Sequence, residues 1–329
     1  MKLYEDKLII VTGGFGFIGS CIVQYLNDHN MSNIVIVDDL EESPDKWQNL
    51  VGKKFVEYIP KDKFLKWLET PGRDEDIEAF VHMGAISSTV ETNVELLMEN
   101  NYRYTLRLME YAVKYGHRFI YASSAATYGD GSLGFFDNHD MLEKLRPLNP
   151  YGYSKHLVDL WAKDQGVLNK VLGFKLFNVF GPNEFHKGRM SSVVYNLLPQ
   201  IQENKTIKLF KSNDPQNFAD GEQCRDFIYV KDVAKVVYQA LNNDCCGIYN
   251  LGRGVAESWN SLAKAMFKAL GQEPNIEYID MPKDLNDKYQ NYTCADTTKL
   301  EKDFRFKSES LEESVSDYIK NYLLPHKHY

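Results

Sequence analysis

Tyr151 and Lys155 stand four residues apart in the run Tyr151-Gly152-Tyr153-Ser154-Lys155. On a helix that spacing puts both side chains on one face, one turn apart. An ammonium beside a phenol favours the phenolate and lowers its pKa from the ordinary value of about 10. Tyr151 would then serve as an acid and base near neutral pH, with Lys155 as the group that tunes it. The same spacing also fits a packed ring beside a solvated amine, so the surrounding chain has to decide.

Holding such a pair in place takes a rigid frame, and the first half of the chain has the pattern of one. Leu8-Ile9-Ile10-Val11-Thr12, Ile34-Val35-Ile36-Val37, Ile77 through Met83, Arg118 through Ala122 and Val171 through Phe177 are short runs rich in apolar residues. They read as buried parallel strands. Stretches of helical periodicity lie between them, one through Ile22, Val23 and Leu26, another opened by Asn100-Asn101 and running through Tyr104, Leu108 and Tyr111. Pro150 stands at the start of the Tyr151 helix, where proline is well tolerated. This alternation predicts a doubly wound α/β sheet of the Rossmann type.

Gly13, Gly16 and Gly19 follow the first strand and open the first helix. The first glycine allows a tight turn, the second lets backbone approach a pyrophosphate, and the third lets helix and sheet pack closely. The helix N-terminus then faces the phosphates. Asp38-Asp39 end the second strand, at the spacing where a dinucleotide site grips the adenosine ribose. Two acids disfavour a 2′-phosphate, whereas Lys46 and Lys61 would offset them if their loops fold back. NAD and NADP both stay open on these residues. Gly84-Ala85 and Ser123-Ser124 end two further strands on the ligand edge of such a sheet. His82 reads as a strand-end or core histidine.

Beyond Phe177 the pattern changes. Residues 183–189 are polar, carry His186 and Lys187, and read as a mobile stretch. A helix is expected from Ser191 to Glu203, an exposed loop over 211–223, a strand from Arg225 to Val230, and a helix from Lys231 that returns to the first domain. Gly247 to Gly252 reads as one more strand, with helices near 258–270 and 309–323. The division expected is a cofactor-binding domain of residues 1–177 plus about 231–256, and a smaller α+β substrate domain of about 178–230 and 257–329. His326 and His328 read as solvated.

The formal net charge of −8 argues against non-specific binding to nucleic acid or an anionic membrane. Cys21, Cys224, Cys245, Cys246 and Cys294 are odd in number and lack metal-ligand spacing, so reduced thiols in a cytoplasmic protein are expected. No apolar run is long enough to span a membrane. A strand begins within eight residues of Met1, which leaves no room for a signal peptide.

Glycine loop, ribose acid, strand-end serines and Tyr-x-x-x-Lys occur here in one order. Together with Asn178-Val179-Phe180-Gly181-Pro182 and Arg225-Asp226-Phe227-Ile228-Tyr229-Val230-Lys231-Asp232 they resemble the extended short-chain dehydrogenase/reductases that act on nucleotide-sugars. A narrower resemblance, to the ADP-L-glycero-D-manno-heptose 6-epimerases, rests on four segments. These are Tyr121 to Gly129, Leu148 to Lys155, Phe177 to Gly188 with its His186-Lys187-Gly188, and Tyr249 to Ser258.

The resemblance implies an isomerase that oxidises C6 of an ADP-heptose to a transient ketone and reduces it on the opposite face. Ser124, Tyr151 and Lys155 would be the catalytic trio, and Lys187 the acid/base on the second face. Phe17, Ile18, Asp38, Asp39, Lys46, Lys61, Met83, Gly84, Ala85, Ile86, Ser87, Asn100, Lys155, Val179 and Lys187 would line the cofactor. Ser124, Asn178, Arg189, Asn196, Phe210, Lys211, Ser212, Asn213, Arg225 and Tyr289 would meet the substrate, with Arg225 clamping its diphosphate. NADP is the implied cofactor, with NAD as the alternative. A homopentamer working in lipopolysaccharide inner-core synthesis is the implied setting, with no metal. Met83, Asp39, Arg189 and Asn196 depart from the family pattern. A nucleotide-sugar 4-epimerase or 4,6-dehydratase would share Tyr151 and Lys155, although Ala125-Ala126 replaces the acidic pair usual after the serine of a dehydratase. A non-catalytic cofactor-binding protein would have no need of the acid/base set.

Overall fold

Apolar runs buried on both faces can only lie in the middle of a layered structure, and here they do. The structure is a computed structural model that describes residues 6–41, 43–282 and 289–329. Strands β1 (Leu8–Thr12), β2 (Ile34–Asp38), β3 (Glu57–Pro60), β4 (Ile77–His82), β5 (Arg118–Ser124) and β6 (Val171–Leu176) belong to one sheet. The chain then leaves it through β7 (Asn178–Phe180), β8 (Ile207–Phe210) and β9 (Cys224–Tyr229), and returns as β10 (Gly247–Leu251). Strands β11 (Ala256–Ser258) and β12 (Ile276–Ile279) lie outside the main sheet.

The seven-stranded sheet runs β10-β6-β5-β4-β1-β2-β3, and every neighbouring pair is parallel. The strand order reverses between β1 and β4, which opens a crevice at their carboxyl ends. Helices Phe17–Asp28 and Val230–Leu241 pack together over one face, on a core that includes Ile22, Leu26, Val233 and Val237. Helices Lys61–Leu68, Tyr104–Tyr115 and Pro150–Asp164 cover the other, around Phe64, Leu108 and Val158. The helix from Lys231 thus returns to the main sheet as its sequence suggested.

A second core lies under helices Val193–Asn204, Trp259–Ala269 and Leu311–Tyr318, around Leu198, Met266 and Val315. Two small sheets border it, β11-β9-β7 and the parallel pair β12-β8. β7 and β8 are three and four residues long, too short to carry a periodic signal. The helix expected from Asn100 starts earlier. Asn93 caps Val94–Leu97, and a π turn over Met98–Arg103 joins that turn to Tyr104–Tyr115. No helix among the described residues is long and apolar enough to cross a membrane.

Candidate active site

The glycine loop is shaped by contacts that no side chain could enter. Gly13 has φ +67°, and a Cβ there would lie 2.7 Å from Gly84. A Cβ on Gly19 would lie 2.1 Å from the Gly13 carbonyl oxygen. The helix that follows is capped by Gly16 without a side-chain hydrogen bond and has no acid in its first turn. Its N–H groups and the positive end of its dipole are therefore available to an anion. A cavity of about 300 Å³ beside it is lined by Thr12, Gly13, Asp38, Asp39, Lys46, Lys61, Gly84, Ala85, Ile86 and Asn100. Glycine backbone, an open helix end and a crevice at the switch point fit a dinucleotide.

Asp38 does more than end β2. One carboxylate oxygen accepts the Phe15 N–H at 2.8 Å and fixes the glycine loop. The other accepts from Lys46 at 2.8 Å and from the Asp39 N–H at 2.8 Å. Lys46 also donates to the Asp39 carbonyl at 2.7 Å, and Lys61 donates to Asn100 Oδ1. Both lysine loops thus fold back onto the cavity. Asn101, buried in the π turn, exchanges two hydrogen bonds with the Ile86 backbone, at 2.9 and 3.0 Å. That pins the strand-end segment behind the cavity, while Met83 packs on the core and Ser87 is exposed. His82 is buried between the Thr12 and Thr105 hydroxyls and is pushed down to about 3 by burial, so it stays neutral.

Ser124, Tyr151 and Lys155 come together at the end of β5. Asn149 caps helix Pro150–Asp164 through the Gly152 N–H at 2.8 Å. Gly152 lets this helix press on the turn after β5, since a Cβ would lie 2.7 Å from the Ala126 carbonyl oxygen. The Ser124 hydroxyl faces the Tyr151 phenol and favours its ionised form. Lys155 Nζ donates to the Ala122 carbonyl at 2.9 Å. Here the structure corrects the sequence reading. Burial pushes the phenol above its ordinary value, Ser124 opposes that rise, and Lys155 does not contribute. The ammonium is instead turned onto the β5 backbone and is itself driven down to about 8 by burial, with Asp159 opposing.

Behind the trio lies a network that sequence reasoning missed. Lys175 and Asp159 form an ion pair at 2.7 Å with neither side chain exposed. Asp159 also accepts from Tyr121 at 2.9 Å and Ser123 at 2.8 Å, while Lys175 donates to Thr127 and sits 4.9 Å from the Tyr128 ring. Every group in it belongs to β5, β6, the turn after β5 or the Tyr151 helix, so it locks the frame of the site.

The segment expected to be mobile is an ordered turn, Phe185–Met190. Asn183 before it is buried in the left-handed region, at φ +74°. Glu184 is buried and accepts from the Ser192 N–H, the Ser192 hydroxyl and the Tyr318 hydroxyl at 2.5, 2.5 and 2.7 Å. His326 is exposed, as expected, with its ring 4.5 Å from Phe185, whereas His328, also expected in solvent, is half-buried, 5.0 Å from the same ring and bonded to Asn49. Lys187 Nζ lies 5.1 Å from the centre of the Phe17 ring, which clusters with Ile18 and Val179. Burial lowers the Lys187 ammonium, and Glu184 opposes it.

Arg225 on β9 lies over two aromatic rings, 5.0 Å from the centre of Tyr289 and 5.5 Å from that of Trp259. Trp259 was not foreseen. It starts a helix capped by Ser258 and donates to the Tyr289 hydroxyl at 2.8 Å. Asp226, next along β9, is buried and accepts from the backbone N–H groups of Arg253, Gly254 and Ala295 at 2.7 to 3.0 Å. Those bonds bind the chain after β10 to the arginine's strand. Phe210 ends β8, and Lys211 after it is paired with Asp280 at 2.9 Å. The Ser212 N–H is held by Asp220, and Asn213 follows in the same loop. Asn178 is exposed on β7, and Arg189 is exposed at the end of the Lys187 turn. Asn196 turns its amide back onto the carbonyls of Ser191 and Ser192.

Residues 9–252 match the NAD dependent epimerase/dehydratase family. An ADP-L-glycero-D-manno-heptose-6-epimerase of Nitratidesulfovibrio vulgaris is 48% identical over 96% of this chain and 98% of its own length. One of Fusobacterium nucleatum is 45% identical over the same shares. The crystal structure of the Helicobacter pylori ADP-L-glycero-D-manno-heptose-6-epimerase superposes with a TM-score of 0.82, at 29% identity and 96% coverage of both chains.

Proposed function

The chain belongs to the NAD dependent epimerase/dehydratase family and, within it, to the ADP-L-glycero-D-manno-heptose-6-epimerases, and we propose on that footing that it interconverts the D-glycero and L-glycero epimers of ADP-β-D-manno-heptose at C6. The observation that carries the reading is a pair of acid/base groups on separate elements. Tyr151 stands on a helix beside β5, and Lys187 on the turn after β7. An epimerase needs a proton acceptor for each face of the carbon it inverts.

A bound nicotinamide dinucleotide supplies the hydride acceptor and donor that take C6 through a ketone. Gly13, Gly16 and Gly19 hold its phosphates against the helix that starts at Phe17. Gly84 to Ile86, Asn100, Phe17, Ile18 and Val179 border it, with Met83 and Ser87 at the edges. Tyr151 and Lys187 exchange the C6 hydroxyl proton on opposite faces, each acting in the reverse sense in the reverse reaction; burial holds the phenol protonated, ready to give a proton, and lowers the ammonium, readying Lys187 to take one. The lowered pKa of Lys187 supports that role, because an amine near its usual value cannot accept a proton at neutral pH. Ser124 hydrogen-bonds the oxygen as charge develops on it. Lys155 in its ammonium form grips the nicotinamide ribose.

Arg225, which lies over the Trp259 and Tyr289 rings, holds the substrate diphosphate. Asn178, Arg189, Asn196 and the Phe210 to Asn213 segment complete the sugar and nucleotide contacts. NADP is the proposed cofactor, supported by Lys46 and Lys61 at the cavity that Asp38 borders. Residues 1–177 with 231–256 are proposed as the cofactor-binding unit and the remainder as the substrate-binding unit. The setting proposed is a cytoplasmic homopentamer that feeds lipopolysaccharide inner-core assembly.

The test is to supply the ADP-D-glycero epimer to the purified protein and follow C6 configuration by NMR. Approach to a mixture of both epimers is expected. A protein that leaves this sugar unchanged while converting another nucleotide-sugar contradicts the assignment.

A further inference from the structure

We propose that Asn49 is a positioning residue for Lys187, clasping the turn that carries the lysine to the glycine loop. The proposal rests on the reading of Lys187 as an acid/base given above. Asn49 is the next-to-last residue of a short 3-10 turn, Pro44–Leu50, and is only 1% exposed. Its amide nitrogen donates to the Phe15 carbonyl at 2.8 Å and to the Asn183 carbonyl at 3.1 Å, and lies 3.2 Å from His186 Nδ1. Its amide oxygen lies 2.7 Å from His328 Nδ1.

The amide can face only one way. Two carbonyl oxygens lie against one end, so that end must be the NH2 group. One side chain therefore joins three stretches of chain distant in sequence: the glycine loop, the segment before Lys187, and residue 328. Each partner is itself held. The Phe15 N–H is bonded to Asp38, and Asn183 bonds the Ser20 hydroxyl at 2.9 Å in the glycine-loop helix. His186 is pushed down to about 4, by burial first and then by Lys46 and Lys187, so its ring is neutral and packs against an amide whose two hydrogens serve the carbonyls.

The clasp has a function that packing alone would not give. Lys187 reaches the Phe17 ring from a six-residue turn that is exposed from Gly188 to Met190. Such a turn has no ladder of backbone bonds to set its height above the helix. Asn49 sets that height from the cofactor side, so the lysine and the glycine loop move as one unit. A proton-transfer group displaced by about 1 Å can lose about 100-fold in rate.

The experiment uses full-length protein carrying Asn49→Ala or Asn49→Asp, the latter placing a carboxylate against two carbonyls. Steady-state epimerisation at C6, retained nicotinamide cofactor, acylation of the Lys187 amine and amide hydrogen exchange are measured together. Expected is a fall in kcat of about 100-fold with KM changed less than about 3-fold. Cofactor content should be unchanged. Exchange should quicken over 183–190 and not over helix Pro150–Asp164, and Lys187 should acylate faster. If kcat holds within about 2-fold, or falls only in step with lost cofactor, the proposal is overturned. His328→Phe cuts the bond to the amide oxygen and leaves the two carbonyl bonds, so it covers the case in which Asn49→Ala does not fold. Unchanged exchange over 183–190 in that variant also overturns the proposal. Lys187→Met in the same assay separates the two readings: full activity there removes the acid/base role of Lys187, whereas loss there with normal Asn49 variants removes only the clasp.

Discussion

Asp159→Asn removes a charge from a fully buried ion pair while keeping the size of the side chain. Asp159 is within 2.7 Å of Lys175, and both are at 0% exposure. Asparagine can still accept from Tyr121 or Ser123, but it leaves the Lys175 ammonium without a counter-charge. Breaking one side of a buried pair costs about 3–5 kcal/mol. The Thr127 hydroxyl and the Tyr128 ring still face the ammonium, which places the expected loss near about 3 kcal/mol. Urea unfolding at neutral pH reads this directly. Adding Lys175→Met to Asp159→Asn removes the stranded cation and should restore at least about 1 kcal/mol. The same variant reaches the chemistry through Lys155, which burial drives down to about 8 and Asp159 holds up. An ammonium required at the site is lost as pH rises through that value, so kcat should fall on the alkaline side. Without the Asp159 charge, that falling limb should move to lower pH. A variant within about 0.5 kcal/mol of the unsubstituted protein, with an unmoved limb, would refute the reasoning.

Arg225→Lys keeps the charge but loses the planar fork that lies over Trp259 and Tyr289. Steady-state kinetics should show KM for the nucleotide-sugar raised about 10- to 100-fold with kcat changed far less. Lys46→Ala unpairs Asp38 and takes a cation from the cofactor cavity. Titration of cofactor-free protein should show NADP binding weakened about 10-fold and NAD binding nearly unchanged. Equal losses for both cofactors would remove Lys46 from the choice between them.

The parts of the site that came through in the sequence are those whose physics is local. A glycine loop, a capped helix with Pro150 at its first position and β-branched runs each declare themselves within a dozen residues. The parts that did not are tertiary. Trp259 meets Arg225 only because β11, which leads into its helix, pairs with β9, and nothing in its own helix marks it. Asp159 and Lys175 sit on a helix and a strand whose apolar neighbours drew the reading, and their pairing exists only once β6 lies beside β5. Lys155 followed the local argument in place but not in effect, because its amine found the Ala122 carbonyl rather than the phenol. The turn with Lys187 looked mobile because polar composition was the only signal. Its order comes from buried bonds made by Asn183 and Glu184, whose partners lie far away in sequence.

The central claim is that Tyr151 and Lys187 serve two faces of one carbon. It is tested most directly by C6 epimerisation in Lys187→Met, started from each ADP-heptose epimer in turn and followed by NMR. Turnover should fall by about 100-fold or more in both directions, because each passage between epimers uses both groups once. Tyr151→Phe should show the same pattern. Epimerisation by Lys187→Met at the unsubstituted rate in either direction would contradict the account.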